Sequence, residues 1–214
     1  MDSGETIRAE AGAMTYMSPN IQVNTHRRDS SLLGSIGISL LGAQSFFVND
    51  FSATNGPGVL GLVSAVIGDM TQLRLESGRG YIIQKASYVA SSTSIDLDVK
   101  WEGFSRGLFG QGLFMIRATG AGDLFINTFG AIEQKTLGPN DQLIVDNFHL
   151  VAFTESCSYT VTKFGGLKST LLGGEGLVVN IRGPGEIYLQ TKNPREFSEW
   201  LWPLIESRVR SNAR

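Results

Sequence analysis

Few residues in this chain have the type or the spacing that chemistry requires. There are two histidines, His26 and His149, and one cysteine, Cys157. A histidine metal site needs at least a pair of ligands plus a carboxylate or thiolate at workable spacing. His26 falls in the polar stretch NTHRRDSS, which reads as a loop. His149 falls in DNFHLVAF, which reads as a strand. Two carboxylates, Asp146 and Glu155, flank that strand and are the first place to look for acid–base chemistry in a cleft. Cys157, within ESCSYTV, reads as a buried and inert thiol rather than a nucleophile. The Arg27-Arg28 pair is a small basic spot, suited to a solvated loop or to an anionic ligand or lipid. No Gly-x-Ser-x-Gly elbow, His-Glu-x-x-His motif or Cys pair occurs. GGLKST, 165–170, has the wrong spacing for a phosphate loop and no helix after it to hold the anion. The residues therefore assign no catalytic, cofactor-binding or metal-ligating position, and no cofactor. The chain reads as a non-enzyme.

The bulk composition narrows the classes further. The net charge is −2, with no run of Lys and Arg, whereas nucleic-acid binding draws most of its affinity from neutralised phosphates. A single thiol can form no internal disulfide, so nothing points to an oxidising compartment. No basic-plus-apolar leader opens the sequence, and LLGSIGISLLG, 32–42, is too short and too Gly-interrupted to span a bilayer. The expected location is cytoplasmic. With 26 Gly but only 6 Pro, the chain suits an architecture of many tight turns.

The elements that would position any site repeat along the chain. Gly-x-Gly followed by an alternating run occurs as GPGVLGLVS at 56–64, GAGDLFINT at 120–128 and GPGEIYLQT at 183–191. Upstream of each lies a Leu-rich turn: LLGAQSFF (40–47), LFGQGLF (108–114) and LLGGEGLV (171–178). A third element, SGETIRAEAGAMTYMS (3–18), matches SGRGYIIQKASYVASS (77–92) and PNDQLIVDNFHLVAFT (139–154). Gly4, Gly78 and Asn140 share one place there, as a left-handed turn residue would require. His149 aligns with Ala13 and Ser87, a position of packing or surface rather than of ligation.

Within a repeat the period is two. Ile95, Leu97 and Val99 alternate with Asp96, Asp98 and Lys100. The expected fold is all-β: three β modules at 1–69, 70–131 and 132–192, then a C-terminal helix and tail at 193–214, forming one compact unit. Modules two and three open with edge strands, TQLRLE (71–76) and IEQKTL (132–137). Module one lacks this strand, or its natural start lies upstream, so another element or chain is expected to cover the edge. Asn193-Pro194 forms a cap and first-turn pair. Phe197, Trp200, Leu201, Leu204 and Ile205 then fall on one helical stripe. Pro203 predicts a kink or break near Trp202. The helix is expected on the β core, or on another subunit.

These pieces carry a resemblance. AEAGAMTYM (9–17), LLGAQSFF, the GDM turn (68–70), GAGDLFINTFG (120–130), DNFHLVAF (146–153) and GGEGLVVNIRGPGEIYLQT (173–191) are together similar to the altered-inheritance-of-mitochondria protein twenty-four family. The resemblance implies a fold like that of the tryptophan RNA-binding attenuation protein. It implies short double-stranded β-helix or jelly-roll modules, fused in threes and assembled as homotrimers into a ring. It brings no catalytic motif, and it implies a cytoplasmic location for a prokaryotic source and a mitochondrial one for a eukaryotic source. Three functions compete on this basis. The first is a scaffold or assembly protein presenting a β-ring to protein partners or a membrane. The second is a small-ligand module with sites between β modules. The third is a jelly-roll enzyme with a cleft around His149, Asp146 and Glu155.

Overall fold

The computed structural model describes residues 1–28, 46–102, 113–163 and 177–212. The chain is all-β with one C-terminal helix. Among the described residues the strands form four sheets. The smallest pairs β2 (Met14–Met17) with β5 (Leu60–Leu62). A six-stranded sheet has the order β3 (Ile21–Arg28), β4 (Phe46–Ala53), β1 (Thr6–Glu10), β8 (Tyr88–Ser92), β11 (Gly122–Asn127), β6 (Met70–Leu75). A second six-stranded sheet has the order β12 (Ile132–Leu137), β17 (Gly185–Gln190), β14 (Leu150–Thr154), β7 (Tyr81–Gln84), β10 (Leu113–Gly120), β9 (Ile95–Glu102). The last sheet is β13 (Gln142–Asp146), β16 (Leu177–Arg182), β15 (Ser158–Lys163). Every strand pairing is antiparallel.

Three apolar clusters lie between successive sheets and stack them as layers. Ala9, Phe51, Ala90, Leu60 and Leu62 join the two-stranded sheet to the first large one. Leu73, Leu124, Ile126, Ile83, Ile116 and Tyr188 join the two large sheets. Leu150, Phe153, Ile187, Val179 and Ile181 join the second large sheet to the three-stranded one. Removing apolar side chains from water drives this stacking, at about 1.5–3 kcal/mol for each fully buried large residue. Strands in the inner layers are buried on both faces, so β14 (LVAFT) is buried at every position. Alternation survives at layer margins: Ile95 and Leu97 are buried while Asp96 is exposed.

Turn chemistry follows the glycines in part. Gly4 and Gly78 share φ +83°, a left-handed conformation that only glycine adopts without strain. Asn140 does not have positive φ, so the expected left-handed residue is absent there and an ordinary turn serves instead. Gly56 and Gly120 have φ +124° and +120°, whereas Gly183 precedes a cis peptide to Pro184. The Leu-rich turns at 40–45, 108–112 and 171–176, and GGLKST at 165–170, lie outside the described residues.

The helix α1 spans Pro194–Asn212. Its cap is as expected: Asn193 Oδ1 accepts from the backbone N of Arg195 at 2.9 Å and of Glu196 at 3.4 Å. Pro203 does not break it, since the helix runs through that residue. Among the described residues the helix lies along no strand of the chain. Phe197 meets Phe129 edge-on at 5.2 Å, while Trp200, Trp202, Leu204 and Ile205 are exposed.

Candidate functional site

The structure does not bring the candidates from sequence together. His149 sits just before β14, its Nδ1 2.8 Å from the backbone O of Gln190. The Asp146 carboxylate is engaged by backbone: Oδ1 accepts from the backbone N of Phe148 at 2.7 Å, in the turn before β14. Glu155 lies past the other end of the strand and pairs with Arg117 at 2.5 Å. A strand rises about 3.3 Å per residue, which separates His149 from Glu155 by roughly 20 Å. No acid–base pair forms from these three residues. Cys157 is buried, and burial pushes its thiol up, partly countered by a hydrogen bond with Thr154. The Arg27-Arg28 backbone ends β3.

His26 is on β3 and not in a loop, because the strand continues through Arg28 and pairs with β4. There it joins a polar cluster that sequence reasoning missed. Arg8 clasps Asp50 with Nε at 2.8 Å and Nη2 at 3.0 Å, and His26 Nε2 lies 3.1 Å from the second Asp50 oxygen. Burial alone would raise the Asp50 carboxyl. Hydrogen bonding and charge from Arg8, then from His26, outweigh it and hold the group below its ordinary value. A second cluster centres on Glu186, which accepts from Arg79 and Tyr81 at 3.2 Å and from Gln134 at 3.3 Å. Burial, with the nearby Tyr188 and Glu186, pushes the Tyr81 hydroxyl far up, so it stays a neutral donor. Both clusters tie strand to strand. No group of three or more His, Cys, Asp or Glu side chains among the described residues could hold a metal ion.

Among the described residues, a cavity of about 80 Å³ is lined by Glu10, Gly12, Ala13, Ser64 and Val89. Small-molecule sites usually span 300–1,000 Å³, so this space holds at most a few waters. Burial raises the Glu10 carboxyl there, and Lys85 offsets part of the effect.

The distinctive surface is a pair of open strand edges. β1 pairs with β4 on one side and β8 on the other, in the register Arg8↔Ser91 and Ala9↔Ala90. β7 pairs with β10 and β14 in the matching register, Ile82↔Phe153 and Ile83↔Ala152. Among the described residues β13 pairs with β16 alone, and β2 with β5 alone. Ile82 and Phe153 are buried, yet Ile144 of β13 is 57% exposed. Ala90 and Ala152 are buried, yet Tyr16 of β2 is 62% exposed. An unpaired edge beside exposed apolar side chains is a template for another chain.

Comparison with known proteins agrees on the kind of molecule. A solved crystal structure of a Streptococcus pyogenes protein superposes with a TM-score of 0.78 at 28% identity, over 95% of this chain and 91% of that one. An uncharacterized protein of Streptococcus pyogenes serotype M6 is 28% identical over 205 residues, covering 92% of this chain and 82% of its own. No described helix is long and apolar enough to cross a membrane. The family model described as mitochondrial biogenesis AIM24 matches residues 1–192, and the chain belongs to that family.

Proposed function

We propose that this protein is a non-enzymatic scaffold, built of three β modules per chain and assembled head to tail through its open edges. The module reading rests on the recurrence of one pairing scheme. β1·β4, β7·β10 and β13·β16 are equivalent pairs, as are β2·β5, β8·β11 and β14·β17. Neighbouring modules join where the first strand of one meets the second strand of the next, as β1·β8 and β7·β14. The single observation that carries this reading is that, among the described residues, the outer edges of β13 and β2, counterparts of the strands that meet at the two internal junctions, have no strand beside them.

The internal registers specify the intermolecular one. Ile144 stands where Arg8 and Ile82 stand, and Met17 where Ser91 and Phe153 stand. Ile144 of one protomer therefore pairs with Met17 of the next, and Val145 with Tyr16. A junction of this kind is heterologous and closes into a ring when the rotation allows. A trimer is the expected ring, and it would present its outer β surface to protein partners. The polar clusters serve this reading as strand-to-strand ties rather than as chemistry.

Sedimentation equilibrium at micromolar concentration tests the assembly. A trimer is expected, and a monomer would overturn it. With Cys157→Ser as background, Ile144→Cys and Met17→Cys in one chain should yield intermolecular disulfides on oxidation. Paired strands bring Cα atoms to roughly 4.5–5.5 Å, within disulfide reach.

A further inference from the structure

Among the described residues, α1 meets the β layers at its first turn, where Asn193 is buried and Phe197 contacts Phe129 edge-on. Beyond that turn it stands in solvent: every residue from Pro194 to Ile205 except Leu201 is exposed. A helix draws most of its stability from burying an apolar face, and Pro203 inside α1 weakens it further. A 19-residue helix of this kind needs something to pack on.

The exposed face has an order to it. Glu196, Trp200, Leu204 and Arg208 follow one another at i, i+4 spacing and so form one ridge along the helix. Trp200 is 64% exposed and Leu204 62%. Phe197 and Ile205 stand beside the ridge and are exposed as well. The ridge is symmetric about position 202. Trp200 and Leu204 lie equally far on either side of it, and so do Glu196 and Arg208. A twofold axis through that position exchanges Trp200 with Leu204 and the acid with the base.

The charges set the direction of such a pairing. Two antiparallel copies put Glu196 of each against Arg208 of the other, whereas parallel copies stack like charge on like. Arg195 is engaged on its own helix, its Nε 2.9 Å from Glu199. A lipid surface suits this face less well. Helices that lie on membranes carry a polar face rich in Lys and Arg, but residues 194–206 hold Glu196, Glu199 and Glu206 against Arg195 alone.

We propose that α1 is a self-association site, packing antiparallel on α1 of a second copy of this chain, ridge Glu196–Trp200–Leu204–Arg208 against the same ridge. The contact is isologous and has twofold symmetry. A head-to-tail ring of three has no such axis, so the contact joins chains of different rings. It does not depend on the head-to-tail reading, because single chains can pair in the same way. The ridge is about 18 Å long, and a lone helix pair buries less than the roughly 1,600 Å² of a standard interface. The association is therefore weak and shows above micromolar concentration.

Sedimentation equilibrium of the full chain, from about 5 to 500 micromolar, tests it. The mass found at the dilute end, ring or single chain, should rise to at least twice its value. Trp200→Ser with Leu204→Ser should abolish the rise, with the dilute mass and the circular dichroism of the β core unchanged. Glu196→Arg and Arg208→Glu should each weaken it about tenfold at low salt, and an equal mixture of the two variants should restore it. No rise, a rise that the serine pair leaves intact, or no restoration on mixing would overturn the proposal. Flotation with phosphatidylglycerol vesicles runs in parallel. If the native protein floats, the serine variant does not and no rise is seen, the face belongs to a lipid surface and the self-association falls. The dilute mass alone decides the ring, so the two readings fail separately.

Discussion

Asp50 shows how a residue with catalytic credentials can be structural. It has a histidine and an arginine at hydrogen-bond distance, but all three sit across paired strands β1, β4 and β3. Its carboxyl titrates below its ordinary value in the folded protein, so it contributes stability above that value, near pH 4. The contribution is lost as pH falls further through the folded value. Urea denaturation from pH 6 down to pH 2 should show this loss in the native protein and a flatter curve in Asp50→Asn. Asp50→Ala leaves the largely buried Arg8 guanidinium unpaired and should cost about 3 kcal/mol, measured in the same titration. Cys157 carries a raised pKa in a buried site, so thiol reagents at pH 8 should label it only after denaturation; prompt native labelling would contradict this placement. None of the Asp50 geometry was legible in the sequence. His26 and Asp50 are 24 residues apart, and only the β3–β4 register makes them neighbours.

At the scale of elements, the reading succeeded where local physics decides and failed where layers do. The Asn193 cap was legible because an Asn-Pro pair satisfies a helix start without help from elsewhere. Asn193→Ala should lower stability of the helix by about 1 kcal/mol, read as a loss of helical circular dichroism on mild heating. Period-two alternation marked β9, but in GEIYLQT it assigns Tyr188 to solvent, and Tyr188 is buried against Tyr81. β17 belongs to an inner layer with apolar neighbours on both faces, which no single-strand pattern reveals. At the connectors, Gly68 has the backbone of Thr128 and Gly130 where a side chain would stand. Gly68→Ala must push the connectors apart, with an expected loss of 2–3 kcal/mol in chemical denaturation, on the order of an overpacked core site.

For the whole molecule, the stack of layers ends in two incomplete sheets. Among the described residues the three-stranded sheet β13-β16-β15 lacks the partners that β1 and β7 find, and the two-stranded sheet β2-β5 is the complement we propose for it. Ile144→Asp places a charge in the expected junction while leaving the exposed protomer surface otherwise intact. It should convert the proposed trimer to folded monomers in sedimentation, with little change in the midpoint of unfolding of the single chain. A persistent trimer would show that the edges are not the interface.

The amino-acid sequence by itself determined the fold class, the recurrence of its signals, the capped helix and the lack of a reactive motif. Each of these follows from properties a short stretch carries alone: glycine's backbone freedom, alternating polarity, a capping side chain. Tertiary structure decided which strands pair, which edges stay open among the described residues and that Ile144 and Tyr16 are exposed where their counterparts are buried or polar. Those facts depend on hydrogen bonds between segments distant in sequence. Whether an apolar residue is core or interface is settled only by what stands opposite it.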